Sequence, residues 1–235
     1  MLAIVLKRKD WREFDELVSF YSQDYGRLDL ISRGSKKITS KNSSYLAPGL
    51  AVEIEVVKGK EIDYLIKVQP TSLFVRTQND LDNNLLLGYI LNFCLKILKI
   101  GHRDETVFAL LLSFLKHISQ PTLACPNLAY GFILKMLTSL GYGAQMKNCS
   151  ICGQNQGLFG LAIEKGGIIC HNCYAKEDPK IKVEPMRLED QKNLLAMQTA
   201  SWTQICQMPY SVKLFSNIIH LAQYHFEIKI NRFSL

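Results

Sequence analysis

Alternation of apolar and polar residues marks the first seventy positions of the chain. Between 51 and 57, three β-branched apolar residues alternate with Glu53 and Glu55. The same period of two returns between 62 and 68, after the turn sequence Lys-Gly-Lys-Glu. This period is that of a β-strand with one buried face. Together with three earlier apolar runs, the pattern predicts five strands, at 3–8, 17–21, 27–33, 51–57 and 62–68.

A long polar loop, residues 34–48, separates the third and fourth predicted strands. Five strands with one long loop are typical of a small closed β-barrel such as the OB-fold. An SH3-like barrel fits the same pattern nearly as well. The first domain is therefore predicted to be a barrel over residues 1–78.

The pattern changes from period two to a helical period at about residue 79. Apolar residues recur at every fourth position from Leu81 to Ile97, as on one face of a helix. Four more helices are predicted, at 107–118, 128–140, 189–200 and 211–226. The chain is therefore expected to be an α+β protein in which an N-terminal OB-fold β-barrel precedes a helical domain over residues 79–235.

Four cysteines stand in two pairs within the helical domain. Cys149 and Cys152 form one C-x-x-C, and Cys170 and Cys173 form a second after a 17-residue spacer. Because each pair can offer two thiolates to one side of a tetrahedral ion, this spacing predicts one bound Zn²⁺. Four thiolates leave no open coordination position, so the zinc is expected to be structural. The alternative is two separate pairs that form disulfides or act as redox dithiols.

The residues around these cysteines predict a compact zinc module at about 146–176. Gly153, directly after the first pair, suits a backbone with positive φ. Gly166 and Gly167 lie between two short apolar runs, 159–163 and 168–169. This arrangement predicts a hairpin whose second strand delivers Cys170.

The charge balance gives a moderate signal for a polyanionic partner. Lys and Arg total 28 against 21 Asp and Glu, which gives a net charge of +7 and a pI near 9.0. Basic residues concentrate along the predicted barrel and its long loop, where they could contact phosphates without reading base sequence. The predicted DNA-binding residues are Lys7, Arg8, Lys9, Arg27, Arg33, Lys36, Lys37 and Lys41. A solvated loop of ordinary composition is the alternative interpretation.

Two aromatic residues beside these charges are candidates for stacking on unpaired bases. Tyr25 is predicted at a hairpin tip, directly before Gly26, and Trp11 follows the first basic run. The other nearby rings are expected in the barrel core.

The remaining composition points away from secretion and catalysis. The apolar N-terminus is too short for a signal peptide, and Asn92 and Lys96 interrupt the longest apolar stretch, so a cytoplasmic protein without membrane spans is expected. In that compartment Cys94, Cys125 and Cys206 are expected to be buried free thiols. The five histidines show no H-E-x-x-H spacing, and no Gly-rich phosphate loop follows a strand. A protein that is not an enzyme is therefore expected.

Several short motifs follow one another along the whole chain. They are Ala-Ile-Val-Leu-Lys-Arg-Lys-Asp at 3–10, Tyr-Gly-Arg-Leu at 25–28, Ser-Arg-Gly-Ser-Lys-Lys at 32–37, Leu-Gly-Tyr at 140–142, Cys-Ser-Ile-Cys-Gly at 149–153, and Phe159 followed by Gly-Gly-Ile-Ile-Cys at 166–170 and Cys173. In this order and spacing they resemble the RecO family of bacterial recombination mediators. Two features depart from that family: Ser, Thr and Asn dilute the basic loop, and the helical region is divergent. Partner contacts in the helical region therefore cannot be transferred residue by residue.

The resemblance implies an OB-fold, a helical domain and an embedded zinc module. It also implies binding to single- and double-stranded DNA and annealing of complementary strands. The implied partners are RecR and single-stranded-DNA-binding protein, with which the family loads the RecA recombinase. The implied location is the bacterial cytoplasm, with association with the nucleoid during repair.

Two other functions remain open from the residues themselves. The first is a zinc-ribbon RNA-binding or transcription accessory protein, which a preference for structured RNA over DNA would favour. The second is a zinc hydrolase or redox enzyme, which a water ligand on the metal or a cycling dithiol would favour.

Overall fold

The computed structural model describes residues 1–71, 80–120, 124–177 and 181–233 of the chain. It divides into two compact units, Met1–Ala124 and Cys125–Leu235. The domain boundary predicted at residue 78 lies outside the described residues. Within the described ranges, no helix is both long enough and apolar enough to cross a membrane.

The first unit begins with five strands that close into a barrel. Their bounds are β1 Leu2–Asp10, β2 Glu16–Ser22, β3 Gly26–Ser32, β4 Ala51–Val57 and β5 Tyr64–Pro70. The order around the barrel is β1-β2-β3-β5-β4, and β4 pairs back to β1. β3 and β5 run parallel, whereas the other neighbouring strands run antiparallel. This closed five-stranded topology confirms the OB-fold prediction and is not that of an SH3-like barrel.

The barrel core follows from the period of two in the sequence. Val52 and Ile54 of β4 are buried, while Glu53 and Glu55 between and beside them are exposed. Phe20 of β2 is completely buried in the same core. One face of each strand therefore excludes water, which fixes the strand register because a slip by one residue would expose the apolar set.

Two helices complete the first unit: α1, Leu81–Ile97, and α2, Glu105–Ile118. Each begins at an aspartate, Asp80 or Asp104, whose carboxylate accepts backbone N–H groups of the first turn. The ring of Tyr21 on β2 lies over Phe108 of α2, with centroids 6.4 Å apart. Burial raises the pKa of Tyr21 to about 12, so its hydroxyl stays protonated at neutral pH.

The second unit contains five helices in its described part. Their bounds are α3 Pro126–Ser139, α4 His171–Tyr174, α5 Leu188–Thr199, α6 Trp202–Gln207 and α7 Val212–Phe226. α3 is buried on nearly all sides and packs against α5, α6 and α7. Its Asn127 side chain donates to the carbonyls of Ile205 and Met208, at 3.1 and 2.8 Å, and so satisfies the C-terminal end of α6.

All five predicted helices are present with bounds that differ by two residues or fewer. The short α4 and α6 are additions, and α6 is the longer of the two. α6 starts with a capping box in which Ser201 and Gln204 bond to each other's backbone N–H groups. Ser followed three residues later by Gln is a sequence signature of a helix N-terminus, so the start of α6 could have been predicted from the sequence.

A three-stranded sheet in the second unit carries the cysteine region. Its strands are β6 Leu158–Ala162, β7 Gly167–Cys170 and β8 Glu184–Pro185, in the order β7-β6-β8. β6 and β7 form the predicted hairpin, and Gly166 between them has a φ of 74°. β8 adds an edge strand that the sequence pattern did not predict.

Candidate metal centre and nucleic-acid interface

A turn, a strand and a short helix bring the four predicted cysteine ligands together. Cys149 and Cys152 lie on a turn that the Gly153 N–H closes on the Cys149 carbonyl at 2.9 Å. Gly153 has a φ of 75°, as the sequence predicted. Cys170 ends β7, and Cys173 lies one helical turn later on α4.

Backbone hydrogen bonds fix the first pair of cysteines beside the strand that delivers the second. Ser150 donates its N–H to the Ile168 carbonyl, and Ile168 donates to the Gln145 carbonyl, both at 2.8 Å. A Cβ at Gly167 would lie 2.3 Å from the Gln145 carbonyl oxygen. The absence of a side chain at Gly167 therefore allows the two chain segments to approach closely.

The sulfur atoms have the spacing that a tetrahedral metal ion requires. All four lie within 4.8 Å of one another, and Cys152 Sγ is 3.8 Å from Cys170 Sγ. Four thiolates at about 2.3 Å from a zinc ion have sulfur–sulfur edges of about 3.8 Å. The cluster could thus hold one metal ion. His171 is exposed and packs its ring against Phe159, with centroids 4.5 Å apart, and it is not a member of this cluster.

The pKa values within the cluster show why a cation suits it. Burial raises the pKa of Cys149, but backbone N–H groups of Cys152, Cys170 and Ile151 stabilise the thiolate and bring the pKa down to about 6. Burial and the neighbouring sulfurs raise the pKa of Cys173 to about 12. One thiolate therefore forms readily, whereas the fourth is opposed by the others. A divalent cation at the centre removes this repulsion.

The predicted DNA-binding cations fall into two groups, of which the first is engaged within the protein. Arg8 makes a two-point ion pair with Glu16, at 2.7 and 3.1 Å, and only 6% of Glu16 is exposed. Burial alone would raise the pKa of Glu16, but hydrogen bonds from Arg8 and Ser35 and the charge of Arg8 lower it below its ordinary value. Arg8 therefore neutralises a buried carboxylate of the barrel.

Arg27 and Lys36 are also partnered. Arg27 donates to the carbonyls of Leu95 and Leu98 at 2.7 and 3.2 Å, at the end of α1, and pairs with Asp29 at 3.1 Å. It thereby caps a helix C-terminus, where a positive charge is favourable. Lys36 forms an ion pair with the exposed Asp10 at 3.2 Å, which solvent screens.

The second group of predicted cations is exposed and, in the part of the chain that the structure describes, forms no ion pair. Its members are Lys7, Lys9, Arg33, Lys37 and Lys41. We call these five residues the exposed barrel cations. Arg33 lies over the ring of Tyr64, 4.2 Å from its centroid, and Lys37 lies 5.4 Å from the centroid of Phe14.

Both predicted stacking residues are on the surface. Tyr25 lies at the β2–β3 turn with 57% of its surface exposed, and Trp11 lies after β1 with 43% exposed. The backbone at Trp11 is held in place, because the N–H groups of Trp11 and Arg12 both donate to the Asp15 carbonyl, at 3.1 and 3.3 Å.

A groove that the sequence pattern did not predict lies between the β1–β2 loop and the β4–β5 loop. It encloses about 490 Å³, and its lining includes Trp11, Arg12, Lys58, Lys60, Glu61 and Tyr64. We call it the loop groove. OB-folds commonly bind oligonucleotides through the β1–β2 and β4–β5 loops. The two lysines in the exposed loop between the last two predicted strands could therefore have indicated this groove.

Comparisons with known proteins cover both units. The family model described as Recombination protein O N terminal matches residues 1–74, and the model described as Recombination protein O C terminal matches residues 78–209. A protein named DNA repair protein RecO from Desulforamulus reducens is 26% identical over 231 residues, which cover 97% of this chain and 90% of that protein. A protein of the same name from Dehalococcoides mccartyi is 27% identical over 221 residues, covering 92% and 84%.

Proposed function

The chain belongs to the RecO family, and on this basis we propose that it is a DNA repair and recombination mediator without catalytic activity of its own. It binds single- and double-stranded DNA and anneals complementary strands. The observation that carries the proposal is an OB barrel whose five exposed barrel cations have no ion-pair partner among the described residues. Such cations can release counterions from a nucleic-acid backbone without selecting a sequence.

Annealing follows from charge neutralisation. Two DNA strands repel each other through their phosphates, and a positive surface that holds both lowers this repulsion. The bases remain free to pair, so no bond is made or broken in the protein and no nucleoside triphosphate is consumed. Annealing should therefore weaken as salt screens the contacts.

The metal in this proposal is one structural zinc held by the four cysteines. Zinc with four thiolate ligands has no position left for a water or substrate, and it would supply folding free energy to the module. RecR and single-stranded-DNA-binding protein are the proposed partners, with RecA loaded indirectly. The cytoplasm of a bacterium, with association with the nucleoid during repair, is the proposed location.

The test of this proposal is an annealing assay with two complementary labelled oligonucleotides, run on protein whose metal content has been measured. We expect faster annealing with protein than without it, no requirement for ATP, and a rate enhancement that declines with salt. A protein that binds both strands but does not accelerate annealing at any concentration or salt would contradict the mechanism. Tighter binding to structured RNA than to DNA would instead support the RNA-binding alternative.

Charge removal in the long loop tests which surface is used. Replacing Lys36 and Lys37 together by Ala should weaken binding to DNA of any sequence. The slope of the logarithm of the binding constant against the logarithm of the salt concentration should become shallower by roughly 0.7–0.9 for each lost phosphate contact. The matched control replaces Lys192 and Lys213, two exposed lysines of the second unit, and removes the same charge. Equal effects of the two double variants would exclude the loop from the interface.

A further inference from the structure

Two cysteines of the second unit lie in contact although they are far apart in the sequence. Cys125 directly precedes α3, and Cys206 lies on α6, 81 positions later. Their sulfur atoms are 2.6 Å apart. The sequence predicted buried free thiols at both positions, but both side chains are partly exposed, unlike the fully buried Cys94. The pair is therefore open to reagents in solution.

Contacts beside the pair hold α3 and α6 together. Asn127, two residues after Cys125, donates to the carbonyls of Ile205 and Met208, at 3.1 and 2.8 Å. Gly131 lies one turn further along α3, and a Cβ at this glycine would be 2.9 Å from Cδ1 of Ile205. These contacts fix the residues next to both cysteines, so the two sulfur atoms remain neighbours as long as the fold is intact.

The two thiols differ in how readily they ionise. The contact with Cys206, opposed by burial and supported by the N–H groups of Leu128 and Asn127, lowers the pKa of Cys125 to about 7. The same contact, together with burial, raises the pKa of Cys206. Cys125 also stands at the positive end of the α3 dipole, which favours a thiolate. Cys125 is therefore the better nucleophile of the pair, while Cys206 keeps its proton.

We propose that Cys125 and Cys206 are a site of reversible oxidation by small-molecule disulfides, with Cys125 as the attacking thiolate and Cys206 as the resolving thiol. Oxidised glutathione represents this class of oxidant. A thiol attacks a disulfide most effectively when its pKa is near the ambient pH, because it is then both ionised and nucleophilic. The site is separate from the four cysteines of the metal module, and it does not rest on the DNA binding proposed above.

The oxidation takes place in two exchange steps. The Cys125 thiolate attacks one sulfur of oxidised glutathione, forms a mixed disulfide with it and releases the other glutathione as a thiolate. The negative charge on Cys125 is then gone, so the contact that raised the pKa of Cys206 no longer opposes its ionisation. Cys206 releases its proton to water and attacks Cys125 Sγ, and the second glutathione leaves as a thiolate. Two protein thiols are thereby oxidised to one disulfide while the glutathione disulfide is reduced to two thiols.

The product links the start of α3 covalently to α6. The bridge closes a segment of the chain that contains all four cysteines of the metal module. Because a crosslink over a long segment restricts the unfolded chain, it stabilises the folded state of the second unit. Excess reduced glutathione reverses both exchange steps, so the stability of this unit follows the ratio of disulfide to thiol in solution.

Mass spectrometry of peptides under non-reducing conditions tests the site in the unaltered chain. After treatment of the metal-loaded protein with oxidised glutathione, we expect a linked pair of peptides that contain Cys125 and Cys206, and Cys94 in its reduced form. Treatment with excess dithiothreitol should return the linked pair to thiols. If both cysteines remain thiols under conditions that oxidise the cysteine cluster of chelator-treated protein, the proposal is wrong.

Two single variants test the separate roles of the two cysteines. In Cys206→Ser the resolving thiol is absent, so Cys125 should retain glutathione as a mixed disulfide. In Cys125→Ser the attacking thiol is absent, and Cys206 should acquire glutathione at least roughly tenfold more slowly than Cys125 does in Cys206→Ser. Equal rates of glutathione incorporation in the two variants would overturn the assignment of Cys125 as the nucleophile.

Hydrogen exchange measures the effect of the bridge on the second unit. The amides of α3 and α6 should exchange at least roughly tenfold more slowly in the oxidised protein than in the reduced protein. The barrel strands should exchange at the same rate in both forms, and dithiothreitol should restore the faster exchange of the two helices. Equal exchange of α3 and α6 in the fully linked and the reduced protein would overturn the proposed stabilisation.

Discussion

The barrel and the metal module are both small, but their cores differ in size and kind. The barrel core contains eleven buried residues drawn from all five strands and the long loop. The buried core of the metal module has four residues, and two of these, Cys149 and Cys170, are themselves candidate ligands. The barrel can therefore be stabilised by apolar burial, whereas we expect the module to depend on a metal ion bound by its sulfur atoms.

Because of this difference, we expect the barrel to serve binding and the metal module to serve folding. A barrel that is stable without a ligand can present loops and cations on its outer surface. In the metal module, by contrast, the side chains of Cys149 and Cys170 form part of the buried core. We therefore expect changes in the barrel loops to alter binding, and changes in the module to alter folding.

The largest expected effect comes from removing one thiolate of the module. Cys173→Ser should lower the metal content from about one ion per chain towards zero, because structural zinc sites contribute about 10–16 kcal/mol in zinc-finger peptides. Hydrogen exchange should then become fast over residues 146–177 and remain slow in the barrel strands. Cys94→Ser is the matched control and should keep its metal. A variant at Cys173 that retains one ion per chain would show that this residue is not a ligand.

The next largest effect is a cavity in the barrel. Phe20 is completely buried, so Phe20→Ala should lower the free energy of unfolding by about 3–5 kcal/mol. Urea denaturation monitored by hydrogen exchange in the strands measures this loss. The metal content should stay unchanged. Loss of the metal together with the barrel would contradict the independence of the two cores.

A smaller effect is expected from the ion pair inside the barrel. Glu16→Gln should cost about 1–3 kcal/mol, because the hydrogen bonds from Arg8 lose their charged acceptor. Glu55, whose pair with Lys67 at 3.6 Å is exposed, supplies the control, and Glu55→Gln should change stability by less than about 0.5 kcal/mol.

The Glu16 pair also predicts a pH dependence. The folded-state pKa of Glu16 is lowered, so its contribution is complete above the ordinary glutamate pKa of 4.5 and is lost as the pH falls through the lower folded value. The difference in stability between the wild type and Glu16→Gln, measured by urea denaturation, should therefore shrink below pH 4.5. A difference that grows on acidification would contradict the assigned direction.

The smallest of these effects is expected from the close backbone approach in the module. Gly167→Ala places a Cβ 2.3 Å from the Gln145 carbonyl oxygen, and we expect roughly tenfold faster metal loss to a chelator, equivalent to about 1.4 kcal/mol. Gly166→Ala is the neighbouring comparison, since its Cβ meets open space and only the positive φ is penalised. Equal rates for Gly167→Ala and the wild type would mean that the two segments separate without effect on the metal.

Local patterns in the sequence were sufficient to predict most of the elements and the four cysteines that the fold brings together. The period of two between 51 and 57, the two C-x-x-C pairs and Gly153 each depend on residues a few positions apart. Backbone geometry acts over that same distance, which is why the strands, the hairpin and the positive φ at Gly153 could be predicted. The β5 strand begins at Tyr64, two residues later than predicted, because Asp63 accepts the Gly59 N–H and extends the loop.

Only the tertiary structure decided which basic residues are engaged and which are free. In the sequence Arg8 stands between Lys7 and Lys9 in one basic run, yet Arg8 neutralises buried Glu16 while its neighbours are exposed. Arg27 likewise caps a helix that begins more than fifty residues later. The physical reason is that periodicity reports the face on which a side chain lies, whereas its partner is set by chain segments that folding brings together. For the same reason the loop groove and the contact between Cys125 and Cys206 became visible only in the folded chain.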